Sequence, residues 1–171
     1  AHSEVPGCSG TGGGVNCHTD PGKYWNWSYY MSKVTGSGGG GGSLPTYTID
    51  NTSSNFSASS NWSTGTSAGD KYGSDYRFRS TAAVSDPAQW SASVTSGSYK
   101  VQAWWSAGTN RSATAPYIVP NGTTVQKNQQ TSGGSWQTLG TYSLSGTATT
   151  KLSCWTTTGY VVIADAVRYT P

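Results

Sequence analysis

The chain has 171 residues, of which 10% are charged and 12% aromatic, and ten Lys or Arg against seven Asp or Glu give a formal net charge of +3. Roughly 25% charged is usual for soluble domains, and here Ser, Thr, Gly and Asn take up the difference. Lys and Arg form no run, which excludes nucleic acid as the expected partner, and no apolar stretch approaches the roughly 18 residues of a membrane span.

The first segment, AHSEVPGCSGTGGGVNCHTDPGKYWNWSYYM, holds both histidines of the chain, His2 and His18. Cys8 and Cys17 bracket a Gly-rich loop that bends easily enough to bring two sulfurs together, so a Cys8–Cys17 disulfide is expected in an oxidising compartment. The spacing fits no Cys-x-x-Cys zinc pair. Asn26 reads as the N-cap of a short helix over WSYYMSKV. Trp27, Tyr30, Met31 and Val34 fall at i, i+3, i+4 and i+7, which makes one apolar stripe, and Gly36 is a reasonable stop. So short a helix does not hold itself together in water, and its stripe needs a partner surface. TGSGGGGGSLP, residues 35–45, is a flexible linker by composition. The expected division is therefore a loop–helix segment over 1–34, a linker over 35–45 and a domain over 46–171.

From Tyr47 onward the sequence reads as short strands between turns. The expected strands are YTIDN, DYRFRST, AQWSASV, YKVQAWW, APYIVP, TTVQKNQ, WQTLGTYSL, TTKLSCW and YVVIADAVRYT, separated by runs such as SAGDKYGS, TSGS, SAGTNRSAT, SGGS and TTTG. That spacing predicts an all-β antiparallel sandwich. Alternation in YKVQAWW puts Tyr99, Val101, Ala103 and Trp105 on one face and Lys100, Gln102 and Trp104 on the other.

Trp62, Trp90, Trp105 and Trp136 are expected to pack. Trp104 is the surface aromatic, able to stack on a sugar ring while Asn110 and Arg111, on the following loop, bond its hydroxyls. The competing reading makes Asn110 a turn residue and Arg111 the partner of an acid such as Asp75 or Asp165. Asp165 interrupts an apolar run and is expected to be buried, bonded to backbone or to Arg77 or Arg168. Asp70 and Asp75 share a polar loop in which calcium could be held. Cys154 reads as a buried residue or as half of a bridge between molecules.

The segments AHSEVPG, HTDPG and KYWNW followed by SYYM resemble the C-terminal end of zinc-dependent N-acetylmuramoyl-L-alanine amidases. That resemblance implies zinc ligands at His2 and Asp20, with His18 where the family steadies its tetrahedral intermediate. The family's first zinc ligand, a histidine on an early strand, has no counterpart here, Ala1 stands where Gly is usual, and the cysteine-bracketed loop is an insertion. The segment is thus expected to be the tail of an amidase domain, without amidase activity in this chain and with no cofactor firmly held.

IDNTSSNFSASSNWSTGTSAGDKYGSDYRF, YKVQAWWSAGTNRSATAPYIV, NQQTSGGSWQTLGTYSL and GYVVIADAVRY resemble the golvesin C-terminal-like domain. The resemblance covers nearly all of residues 47–170 and departs at Cys154-Trp155. It implies a jelly-roll sandwich appended to secreted bacterial enzymes. The resulting expectation is a non-catalytic, secreted accessory module that binds cell-wall or other extracellular polysaccharide. The alternative is a self-assembling extracellular subunit whose Trp27, Tyr30, Met31 and Val34 dock on a neighbouring copy.

Overall fold

The computed structural model describes residues 43–171. The expectations for His2, Cys8, Cys17, His18, Asp20, the Trp27, Tyr30, Met31, Val34 stripe and the glycine run lie outside the described residues. Ten strands and no helix occur among the described residues. They form two sheets, and every strand pairing is antiparallel. The larger runs β1 (Tyr47–Asp50), β10 (Ala166–Thr170), β5 (Ala88–Trp104), β8 (Gln137–Leu152), β6 (Ala115–Ile118), β7 (Thr124–Lys127), with β2 (Phe56–Ser57) also pairing β5. The smaller runs β3 (Ser63–Gly65), β4 (Tyr76–Ser80), β9 (Val161–Ala164).

The spine of the sandwich is the long β5·β8 pair, and here the structure corrects the sequence. TSGS, residues 95–98, does not turn the chain. It is a bulge within one strand: Val94 pairs Gly146 and Gly97 pairs Leu144, so β5 carries one extra residue. One extra residue reverses which parity faces inward. Ala88, Trp90, Ala92 and Val94 are buried before the bulge, and Tyr99, Val101, Ala103 and Trp105 after it. The same merger joins WQTLGTYSL to TTKLSCW as β8. Its own extra residue is Leu139, skipped between the Gly140 and Thr138 pairings.

The opposite correction applies to YVVIADAVRYT. It is two strands in different sheets: β9 pairs β4, while β10 lies between β1 and β5. The change of sheet falls on Asp165. β2 and β3, two and three residues long, were not legible as strands because so short a run shows no alternation.

Trp62, Trp90 and Trp105 fill the core as expected, each at most 2% exposed. Each indole N–H donates to a backbone carbonyl, those of Asp86, Asp165 and Thr131 at 3.1–3.2 Å, which removes the cost of burying it. Cys154 is fully buried with its thiol directed at the Val84 carbonyl, so in the folded domain it packs and is not available to bridge molecules. Leu44, within the expected linker, packs against the core beside Gly97, where a Cβ would collide with it.

Gln129 is a buried polar side chain that sequence reasoning missed. Its amide donates to the Ile163 carbonyl at 2.8 Å and to the Tyr117 hydroxyl at 2.9 Å. Its carbonyl accepts the Ile163 N–H at 2.8 Å. One side chain thus stands in for a neighbouring strand at Ile163, on the edge of β9 away from β4.

Candidate functional site

Three places in the described domain carry chemistry beyond packing. The first is the strap between β3 and β4. Trp104 lies on the outer face of the large sheet, opposite Ala103 and Trp105, as alternation requires. It is only half exposed. Tyr72 of the strap meets Trp104 and Trp136 edge-on, with ring centroids 5.2–5.5 Å apart. The Trp104 indole N–H donates to the Asp70 carbonyl. Arg168 lies 4.4 Å over the Trp136 ring and donates to Gln102. Trp136 packs as expected, but in this outer cluster and not with Trp62, Trp90 and Trp105, and one of its faces is taken by Arg168. The arrangement fastens a loop to a sheet.

Under the strap lie carboxyl groups. Asp165 is fully buried; one oxygen accepts the Tyr72 N–H at 3.0 Å and the other has no hydrogen-bond partner among the described residues. Burial, more than any other influence, pushes its pKa up to about 8, and nearby Asp50, Asp75 and Asp70 push the same way against the Tyr72 bond. Neither Arg77 nor Arg168 bonds it; the backbone alternative holds. Asp70 and Asp75 do not converge: Asp70 accepts the Ala107 N–H, and Asp75 is bonded by the Asn51 amide. Among the described residues no group of three or more His, Cys, Asp or Glu is placed to hold a metal ion.

The second place is a hollow of about 210 Å³ lined by Tyr76, Phe78, Asn110, Arg111, Val161 and Ile163. Phe78 pairs Ile163 across β4 and β9, and Tyr76 and Val161, two residues along each strand, share that face of the small sheet. The Tyr76 and Phe78 rings are 6.2 Å apart and tilted. Arg111 extends the sheet by a parallel bridge to Val161, and the Val161 N–H donates to the Asn110 carbonyl. This backbone ladder holds both loop residues at the rim. The Arg111 guanidinium donates to the Asn110 carboxamide and, at 3.4 Å, to the Ser106 carbonyl and hydroxyl. It pairs with neither Asp75 nor Asp165. Asn110 and Arg111 thus stand together, as the sequence suggested, while Trp104 belongs to the strap. The aromatic partners in the hollow are Tyr76 and Phe78, whose place beside a loop some thirty residues away no local pattern could show.

The third place is an exposed end. Trp155 (59% exposed), Val84 (42%) and Tyr160 (38%) are the exposed large apolar side chains of the described domain. Their two loops are tied together by Ala82 N–H to Cys154 carbonyl and Thr81 N–H to Tyr160 carbonyl bonds.

The fold is an all-β, jelly-roll-like antiparallel sandwich. The chain belongs to the golvesin C-terminal domain family, which matches residues 47–171. Among solved structures it is similar to a xanthan lyase of Paenibacillus, at 31% identity and a TM-score of 0.67 over 73% of this chain. The match spans only 13% of that enzyme. It is also similar in fold to a family 35 carbohydrate-binding module of Cellvibrio japonicus (16% identity, TM-score 0.54, covering 74% of this chain and 94% of that one). A family 35 module from an environmental isolate is alike to the same degree (18%, 0.55, 73% and 93%). No curated protein matches the chain. No helix among the described residues is long and apolar enough to cross a membrane.

Proposed function

We propose that the domain is a polysaccharide-binding accessory module of a secreted protein and that the hollow at Tyr76, Phe78, Asn110 and Arg111 is its sugar site. The observation that carries this is the combination in one recess of the half-buried Phe78 ring, floored by the buried Tyr76, with an amide and a guanidinium. Aromatic faces take the C–H face of a sugar ring, and the polar pair takes its hydroxyls. About 210 Å³ is below the roughly 300–1,000 Å³ of drug-sized pockets. The recess therefore suits one sugar unit of a polymer running past it. Similarity to carbohydrate-binding modules, and to a small part of a polysaccharide lyase, supports an accessory role. The amidase-like His2, His18 and Asp20 segment supports a wall-active enzyme as the parent, with zinc as that enzyme's metal.

Affinity electrophoresis of the full chain through gels containing soluble polysaccharides, with sedimentation on insoluble cell wall, tests the reading. Retention on at least one polymer is expected, weakened at least about tenfold by Asn110→Ala or Phe78→Ala. No retention on any polymer, or retention untouched by both changes in folded protein, would refute it.

The apolar stripe Trp27, Tyr30, Met31, Val34 supports a second reading, in which copies also associate through their N-terminal segments. A segment of one chain docking on the next gives a heterologous, open-ended contact.

A further inference from the structure

The hollow contains one charged group, the Arg111 guanidinium; none of Tyr76, Phe78, Asn110, Val161 or Ile163 carries a charge. A guanidinium has five N–H donors in a planar fork. Three are engaged: Nε on the Ser106 carbonyl, one on Nη2 with the Ser106 hydroxyl, one on Nη1 with the Asn110 carboxamide. Among the described residues two are left without a partner, one on each terminal nitrogen. None of the three acceptors is a carboxylate, and both Ser106 contacts are long at 3.4 Å.

Of the other arginines, Arg77 lies on the opposite parity of β4 from Tyr76 and Phe78, with its Nε buried and without a hydrogen-bond partner among the described residues; the remaining two are engaged. Arg79 is ion-paired to Asp86, and Arg168 is spent on Gln102 and the Trp136 ring. The one fully buried acid among the described residues, Asp165, lies under the strap, and Arg111 makes no hydrogen bond to it. Asn110, whose oxygen faces Arg111, keeps its amide N–H₂ without a partner among the described residues. The recess therefore offers a formal positive charge, one unengaged N–H on each terminal nitrogen and the Asn110 amide beside them, next to the half-buried Phe78 ring, with the buried Tyr76 beneath. A neutral sugar hydroxyl satisfies one such donor. A carboxylate satisfies both terminal nitrogens at once, in the bidentate geometry that makes the strong charge-assisted pair.

Resting on the reading of the hollow as a sugar site, we infer that the sugar it selects carries a carboxylate, which Arg111 receives bidentately while the ring lies against Phe78. A uronate and the lactyl carboxylate of a muramic acid unit offer the same chemistry.

The test uses the full chain and two polymers, polygalacturonate and peptidoglycan glycan strands, each beside its carboxyl-reduced counterpart, with binding measured by isothermal titration. At least one acidic polymer is expected to bind about tenfold or more tightly than its reduced form, as loss of a hydrogen-bonded charge pair predicts. The polymer that shows the difference identifies the source of the carboxylate. Arg111→Gln should erase the difference, and Arg111→Lys should recover only part, because an ammonium cannot make the fork. Lys100→Gln, an exposed cation on β5, should leave it intact. Equal binding of acidic and reduced forms overturns the inference but leaves the module a sugar binder. A difference that survives Arg111→Gln, or falls equally with Lys100→Gln, overturns it in favour of bulk charge. No binding of any of the four polymers overturns it as well, and if neutral polysaccharides also fail, the sugar-site reading falls with it.

Discussion

Asp165→Asn should change how the stability of the domain depends on pH. The Asp165 carboxyl is fully buried under the strap, and its pKa rises from 3.8 to about 8 through burial and the neighbouring Asp50, Asp75 and Asp70. Between those values the folded chain keeps a proton that the unfolded chain releases. Stability therefore falls as pH rises across that window and levels off above it. One group contributes a slope of at most about 1.4 kcal/mol per pH unit, with a ceiling on the order of 5 kcal/mol for the whole window. Asn keeps the shape and the acceptor for the Tyr72 N–H but does not titrate. Urea unfolding of both chains at pH 4, 5, 6, 7 and 8 reads the difference directly. The two should be close at pH 4, and the variant should gain on the parent with each step, becoming the more stable by pH 8. Equal slopes, or a parent that gains relative to the variant from pH 5 to 8, would show that Asp165 is ionised in the folded domain and refute the account of the site.

Gln129→Leu strips Ile163 of its donor and its acceptor together, which should cost about 2–4 kcal/mol by urea unfolding; a loss under about 1 kcal/mol would mean that Ile163 has other partners. Cys154 should resist a thiol reagent in the folded chain and react on unfolding. With Cys8 and Cys17 bridged, denatured unreduced chain should show one thiol, whereas three would rule the bridge out. Trp27→Ser with Met31→Ser should leave a folded domain that no longer self-associates, read by size exclusion at several concentrations; association equal to the parent's would end the assembly reading.

Part of the site was legible because it rests on local patterns. Asn110 and Arg111 follow an aromatic pair on a turn, and a turn that carries an amide and a cation offers polar contacts wherever it lies. The choice of aromatic was not local. Trp104 points away from the core, but the strap that comes back over it, through Tyr72 and Asp70, is more than thirty residues earlier in the chain. The rings that do face Asn110 and Arg111 are on β4, brought there because β9 pairs β4 on one edge and residues 110–112 on the other.

The sequence by itself determined the all-β class, the inward face of YKVQAWW and the burial of Asp165 within an apolar run. These are consequences of a two-residue period and of the cost of exposing apolar groups, both readable from neighbours. Only the tertiary structure decided that TSGS is a bulge, that YVVIADAVRYT changes sheets at Asp165, and that Gln129 serves as a strand edge. A bulge and a turn have similar composition, and which one forms depends on whether a partner strand lies alongside on both sides of it; here β8 does. The bond that fixes Asp165 comes from a backbone N–H 93 residues away. Pairing across such distances is set by the whole fold, because a hydrogen-bonding group on one strand carries no mark of the strand it will meet.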